Sequence, residues 1–311
     1  MNHLPNSSHF LSIDSHILSG YHSFNMPVLA FITNLIIATF SQMVSLFVGI
    51  FLFGLIIHFI SHITFKSIER AFTSKGTYVV AWLGTPIHEL GHALFCVIFM
   101  HKIVEIEFFK PDPLTGTLGY VYHKWNRSNP WQVLGNFFIA IGPVVLGCFT
   151  LFIIFYFLIP DSSLVWDSIV VQFDEISQSY SMWSYLEVIK TSAFIMVKPI
   201  FTLTNLTSWS FWGFCYLSIC IASNIRLSLL DLKGALSGFG YLVLLFLLIN
   251  FLGLITGLGG ERFLPFTASS LGIVYSLLLL ALIMTVIGFF IVYFISAIYV
   301  KVRHGYILNP F

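Results

Sequence analysis

Residues 78–100 read YVVAWLGTPIHELGHALFCVIFM, a run of the length that an α-helix needs to cross the hydrocarbon of a bilayer, about 20 predominantly apolar residues. Inside it His88-Glu89-Leu90-Gly91-His92 matches H-E-x-x-H. Residues four apart lie on one helix face, so both imidazoles can reach one cation. Two nitrogen ligands with a position left for water describe a catalytic zinc site. Glu89, beside the first ligand, can take a proton from that water, whose pKa a metal lowers to about 7, ready for attack on an amide carbonyl. The pattern also arises by chance, with histidines that are merely packed or paired. An acid and two imidazoles are costly in hydrocarbon unless they hold a metal or line a wet cavity, which favours the metal. Gly91 keeps the helix face small where a substrate or a neighbouring helix approaches.

The rest of the chain agrees with a bilayer setting. Of 311 residues, 14 are Lys or Arg and 13 Asp or Glu, so 9% are charged, against roughly 25% in a soluble domain. With 58% hydrophobic and 17% aromatic residues, the outer surface faces lipid, and a soluble enzyme is excluded. A net charge of +1 without clustered Lys/Arg excludes nucleic acid. The partners expected are the lipid bilayer and a membrane protein or peptide substrate. Cys96, Cys148, Cys215 and Cys220 lie in apolar runs without paired spacing and read as small buried hydrophobes. No Lys or Arg precedes Lys66, so a cleavable signal peptide is not expected. His3, His9, His16 and His22 read as part of a solvated tail.

The fold class expected is an all-α polytopic membrane protein of about six transmembrane helices, with a small β-hairpin after the zinc-binding helix. The spans are Val44–Ile63, Tyr78–Met100, Trp131–Ile159, Trp209 to about Leu230, Tyr241–Leu258 and Ser270–Val300. Residues 1–43 form a polar tail and a tilted or interfacial lead-in, Pro27–Phe40, with Asn34 and Gln42 marking a break. Residues 44–300 form one membrane domain with a catalytic core at about 78–240, and 301–311 a short C-terminal tail. Residues 161–208 carry five acids against Lys190 and Lys198, which suits a non-cytoplasmic loop. Ile103–Phe109 and Thr117–His123 are β-rich runs around the turn Pro111-Asp-Pro-Leu-Thr-Gly116, a hairpin pattern. His58 and His62 are also four apart, but no acid follows the first, and they read as interfacial imidazoles.

A catalytic zinc takes a third protein ligand. Most downstream acids belong to polar segments: Glu105, Glu107, Asp112, Asp161, Asp167, Asp174, Glu175, Glu187 and Glu261. Asp231 differs, standing between two apolar runs, where its partner is either a metal or a base, Arg226 or Lys233.

At this point the chain resembles the site-2 protease family of intramembrane zinc metalloproteases, in a divergent bacterial branch without a PDZ domain. Three features carry the resemblance: His88 to His92 in an early span, Gly142-Pro143 in the next, and the later membrane Asp231 near Gly234. It implies zinc on His88, His92 and Asp231, Glu89 as the base that activates water, and a substrate contact at Asn224. The family's later motif commonly runs Asn-x-x-Pro and then Asp-Gly, whereas here Arg226 and Leu227 stand where the proline is expected. The function implied is an intramembrane endopeptidase in a bacterial cell membrane. Two other readings remain: a membrane metalloprotease of the prenyl-protein type, whose third ligand is a Glu in a later helix, and a catalytically inactive metal-binding scaffold or transporter. A helical substrate must unwind before its peptide bonds can be attacked, and a strand edge can receive it. Val104, Ile106 and Phe108 are the candidate contacts on that edge, or else anchors in the lipid headgroups.

Overall fold

The computed structural model describes residues 28–160, 202–225, 227–256 and 263–309, with helical positions 162, 163, 166, 167, 191, 194, 195, 198 and 200. The tail expected up to residue 27, most of the acidic loop, including Glu175 and Glu187, and Arg226 lie outside the described residues.

Helix α1 (Val28–Ile98) has two arms that meet at Thr73, whose φ of 63° and ψ of −177° lie outside the helical region. The first arm is one continuous helix, so the break expected at Asn34 and Gln42 is absent. The reason is a partner on another helix. Asn250 Nδ2 donates to Thr39 Oγ1 at 3.1 Å and to Gln42 Oε1 at 2.9 Å, and all three residues are buried. A polar side chain that is satisfied across a helix interface glues two helices together and does not end one. His58 and His62 stack within the same arm, their ring planes 3° apart, and the helix runs on past them to Thr73.

After the hairpin strands β1 (Lys102–Glu107) and β2 (Tyr120–Lys124) come α2 (Pro130–Leu158), the short α3 (Leu203–Leu206), α4 (Trp209–Ala222), α5 (Leu229–Thr256) and α6 (Phe263–His304). Among the described residues four helices are long and apolar enough to cross a membrane, Val28–Thr73, Pro130–Leu158, Leu230–Thr256 and Val274–His304, where the sequence predicts six spans. The second arm of α1 is helical, but Thr85, Pro86, His88, Glu89 and His92 dilute its apolar character. Helix α4 has 14 residues and stops at Ala222, short of the expected Leu230. The span expected from Tyr241 begins at Leu229 instead.

Helix α1 packs against α2 and α6, α2 packs against α5, and α4 contacts α1, α2 and α6. Ile57, Phe137, Leu151, Phe214 and Met284 are fully buried at these contacts. On α5 the residues at helical spacing that point outward are Leu244, Leu248, Leu252 and Ile255, all half exposed or more. A helix that is apolar on its outer face as well as its inner one is built for lipid. The C-terminal segment returns to the helices: Tyr293 donates its hydroxyl to the Leu308 carbonyl and Arg70 donates to that of Asn309, each at 2.9 Å.

The strands pair antiparallel, with Ile103 opposite His123 and Glu107 opposite Tyr120, and a bulge falls between Ile103 and Glu105. The connecting loop is closed by Asp112, whose carboxylate accepts from the Leu114 amide and the Thr115 hydroxyl. Those hydrogen bonds hold the Asp112 carboxyl below its ordinary range. Gly116 supplies the left-handed residue the turn requires, at φ 71°.

Candidate metal centre

The two imidazoles of H-E-x-x-H come to rest with ring centroids 5.0 Å apart. Each is held by its Nδ1 on a backbone carbonyl that another element leaves unclaimed. For His92 the acceptor is Ile139 O at 2.8 Å. Ile139 lies four residues before Pro143, inside α2, and proline has no N–H to close that turn of the helix. For His88 the acceptor is Asn224 O at 2.9 Å, in the turn where the chain has left α4. A carbonyl only accepts, so Nδ1 carries the proton in both rings and the lone pair of each ring is on Nε2. Backbone carbonyls that fix the tautomer in this way are a recurrent support of metal-binding histidines.

Those close approaches depend on small residues. A Cβ at Gly91 would stand 2.7 Å from the Gly142 carbonyl and the Pro143 Cα, so the α1–α2 crossing exists only because both positions are glycine. Gly84, one turn before His88, lets the end of α4 press in the same way. A Cβ there would collide with Cys220 O and with the Asn224 side chain.

Asp231 arrives from the first turn of α5. Ser228 caps that helix: the Ser228 amide donates to Asp231 Oδ2 at 2.8 Å and the Asp231 amide donates to Ser228 Oγ at 3.1 Å. This reciprocal capping box uses one carboxylate oxygen and turns the other toward α1. Oδ1 stands 3.4 Å from His92 Nε2, and the donor atoms of His88, His92 and Asp231 all lie within 4.8 Å of one another. Among the described residues the base at ion-pair distance from Asp231 is His92, while Lys233 is exposed. Two imidazole lone pairs and a carboxylate oxygen facing one point repel each other unless a positive charge sits between them, either a proton on His92 Nε2 or a metal ion bound by all three. The donor set therefore fits a metal ion.

Glu89 is buried on the same helix, 7% exposed, within electrostatic reach of Asp231. The hairpin lies over it, since a Cβ at Gly119 would meet Glu89 Cγ at 3.0 Å. Asn224 is buried with its side chain engaged inside the protein, accepting from Thr85 Oγ1 at 3.3 Å and donating to Cys220 O at 2.9 Å. Of the hairpin candidates, Val104 is exposed at the bulge, Ile106 is half-buried, and Phe108 is exposed beyond the end of β1.

A second group was not visible in the sequence. All four cysteines are free and buried, and Cys96 lies with His101 and His123 so that their donor atoms fall within 4.8 Å of one another. Burial pushes the His123 imidazole down to about 4, helped by the His101 and His92 rings. Burial lowers His101 too, opposed by its hydrogen bond to the Gln132 carbonyl. The capping box has a sequence signature, Ser228-Leu-Leu-Asp231 ahead of an apolar run, that could have marked the start of α5. The Cys96 group had none, because its members join only when the hairpin folds back onto the helix end.

No family model matches the chain, and no curated protein or solved structure matches it.

Proposed function

We propose that this protein is an intramembrane zinc metalloendopeptidase, similar in its chemistry to the site-2 proteases, acting on membrane-embedded or membrane-associated protein substrates. The observation that carries the reading is the convergence of His88, His92 and Asp231, with both histidine tautomers fixed and Glu89 buried beside them.

His88, His92 and Asp231 would hold the ion, which when bound acts as a Lewis acid on water and on the substrate carbonyl. Glu89 is the proton acceptor for the attacking water and afterwards delivers that proton to the leaving amine. Its burial under the hairpin keeps bulk water from competing for the proton. The substrate arrives as an unwound segment and adds to an edge that is unpaired among the described residues of the two-stranded sheet, where backbone hydrogen bonds replace those of its lost helix. Gly119 brings β2 across Glu89, so a strand added to this sheet is delivered next to the base. An inert scaffold would need the two histidines and the acid but not the buried Glu89 carboxylate beside them.

The test uses the full chain, purified in detergent and loaded with zinc, with a single-span membrane reporter protein and casein as probes. Wild type should cleave at least the reporter, with 1,10-phenanthroline abolishing the activity. Zinc bound at His88, His92 and Asp231 with no cleavage of either probe would replace the peptidase by the metal-binding scaffold.

A further inference from the structure

The H-E-x-x-H row continues. His88, His92 and Cys96 are successive members of an i, i+4 series, which places the Cys96 thiol one turn, about 6 Å, beyond His92 along the helix. There the helix ends in a Schellman turn. Met100 takes the left-handed conformation at φ 58°, its amide donates to Val97 O at 3.1 Å, and the His101 amide donates to Cys96 O at 2.8 Å. The turn folds His101 back over Cys96. Strand β2 adds His123, opposite Ile103 in the hairpin register.

Two imidazoles face each other at this point, with His101 Nδ1 3.0 Å from His123 Nδ1. His101 Nε2 donates to the Gln132 carbonyl at 2.7 Å, so the His101 proton is on Nε2 and its Nδ1 offers a lone pair toward His123 and Cys96. This is the same arrangement that supports His88 and His92: one ring nitrogen tied to a backbone carbonyl, the other turned inward. Without an ion, His123 donates from Nδ1 to His101 Nδ1. With one, the His123 proton moves to Nε2 and both Nδ1 lone pairs meet the cation. Two nitrogens bonded to one tetrahedral zinc at ~2.05 Å stand about 3.3 Å apart, so the rings need to part by only a few tenths of an ångström. Trp125 stacks against His101 with planes 17° apart.

We propose that Cys96, His101 and His123 form a second metal site, separate from the candidate catalytic one, that takes a zinc-class ion through one thiolate and two imidazoles and pins the hairpin to the end of the catalytic helix. The donor set selects a borderline-soft cation over magnesium or calcium, which demand oxygen ligands. Binding releases the thiol proton of Cys96 to solvent, and water completes the coordination. The inference does not rest on the peptidase reading, because it uses none of the residues assigned to that chemistry.

The two sites are separated by a spectroscopic signature, since a cysteine ligand is present only in the second. The full chain is purified in detergent, its metal content is measured, and it is reloaded with Co²⁺ as the probe. Wild type should hold about two ions per chain and show the near-ultraviolet thiolate-to-cobalt charge-transfer band. The double variant His88→Ala/His92→Ala should keep one ion and the band. Cys96→Ser should lose the band and one ion, and His123→Gln should lose at least about 10-fold in affinity at that site. A wild type that holds a single ion, lost in the double variant, and shows no band would overturn the second site and leave the first standing. Retention of the band in Cys96→Ser would overturn it as well.

Discussion

The ring of His92 is held by the carbonyl that Pro143 sets free. Pro143 cannot donate to Ile139 O four residues earlier, and His92 Nδ1 takes that acceptor at 2.8 Å. The Gly-Pro pair in α2 therefore has a physical task, the glycine admitting α1 and the proline orienting its ligand. In Pro143→Ala an amide returns to compete for the Ile139 carbonyl, and His92 loses its fixed tautomer. Metal affinity at the His88–His92–Asp231 site should fall by about 10- to 100-fold, read by competition with a chelator, while the helix itself gains stability.

Glu89→Gln removes the proton acceptor without touching a ligand. Cleavage of the membrane reporter should fall to background while metal content stays at the wild-type level. Loss of the ion in this variant would mean that Glu89 is a ligand and that its assignment as base is wrong.

Ser228 and Asp231 can be told apart by what each variant loses. Ser228→Ala gives up a helix cap, a cost of about 1 kcal/mol in stability, and should keep most of the metal. Asp231→Asn still accepts from the Ser228 amide but loses the charge that faces His92, so it should fold normally and bind metal weakly. Lys233→Gln, an exposed change on the same turn, should alter neither. Full metal affinity in Asp231→Asn would return the third ligand to the acids of the hairpin.

The parts of the fold legible in the sequence are those written in local patterns. The span expected from Trp131 to Ile159 is α2 to within a residue at each end, and the Pro/Gly turn produces the hairpin. What the sequence hides depends on distant partners. Gln42 looks like a helix breaker until Asn250 is placed against it. The helix expected over 78–100 is a separate arm of α1, as the sequence reads, but the kink that sets it off lies at Thr73, with φ 63°, where no glycine or proline announces it. In the site, H-E-x-x-H names three residues, but the carbonyls of Ile139 and Asn224 that orient its histidines carry no side-chain signal at all.

The site requires α1 and α2 to be as close as their two glycines allow. At Gly91 an added methyl meets the Gly142 carbonyl carbon and oxygen and the Pro143 Cα, all at 2.7 Å, and at Gly142 it meets Gly91 O at 2.5 Å. These are backbone atoms, so no side chain can rotate away and the helices must separate. Overpacking of this kind costs about 1–3 kcal/mol. The same separation stretches the His92–Ile139 hydrogen bond, and a misplacement of about 1 Å at a reacting centre can cost 10²-fold in rate. Gly91→Ala and Gly142→Ala should therefore lose both thermal stability and reporter cleavage. Gly234→Ala is the control: it lies one turn from Asp231, nothing stands within 4 Å of its added Cβ, and it exchanges glycine for a better helix former, a gain of up to about 1 kcal/mol. It should raise the melting temperature and leave cleavage intact. Wild-type activity in Gly91→Ala would show that the site does not need the helices at this distance, and the support of His92 by the Ile139 carbonyl would then be incidental.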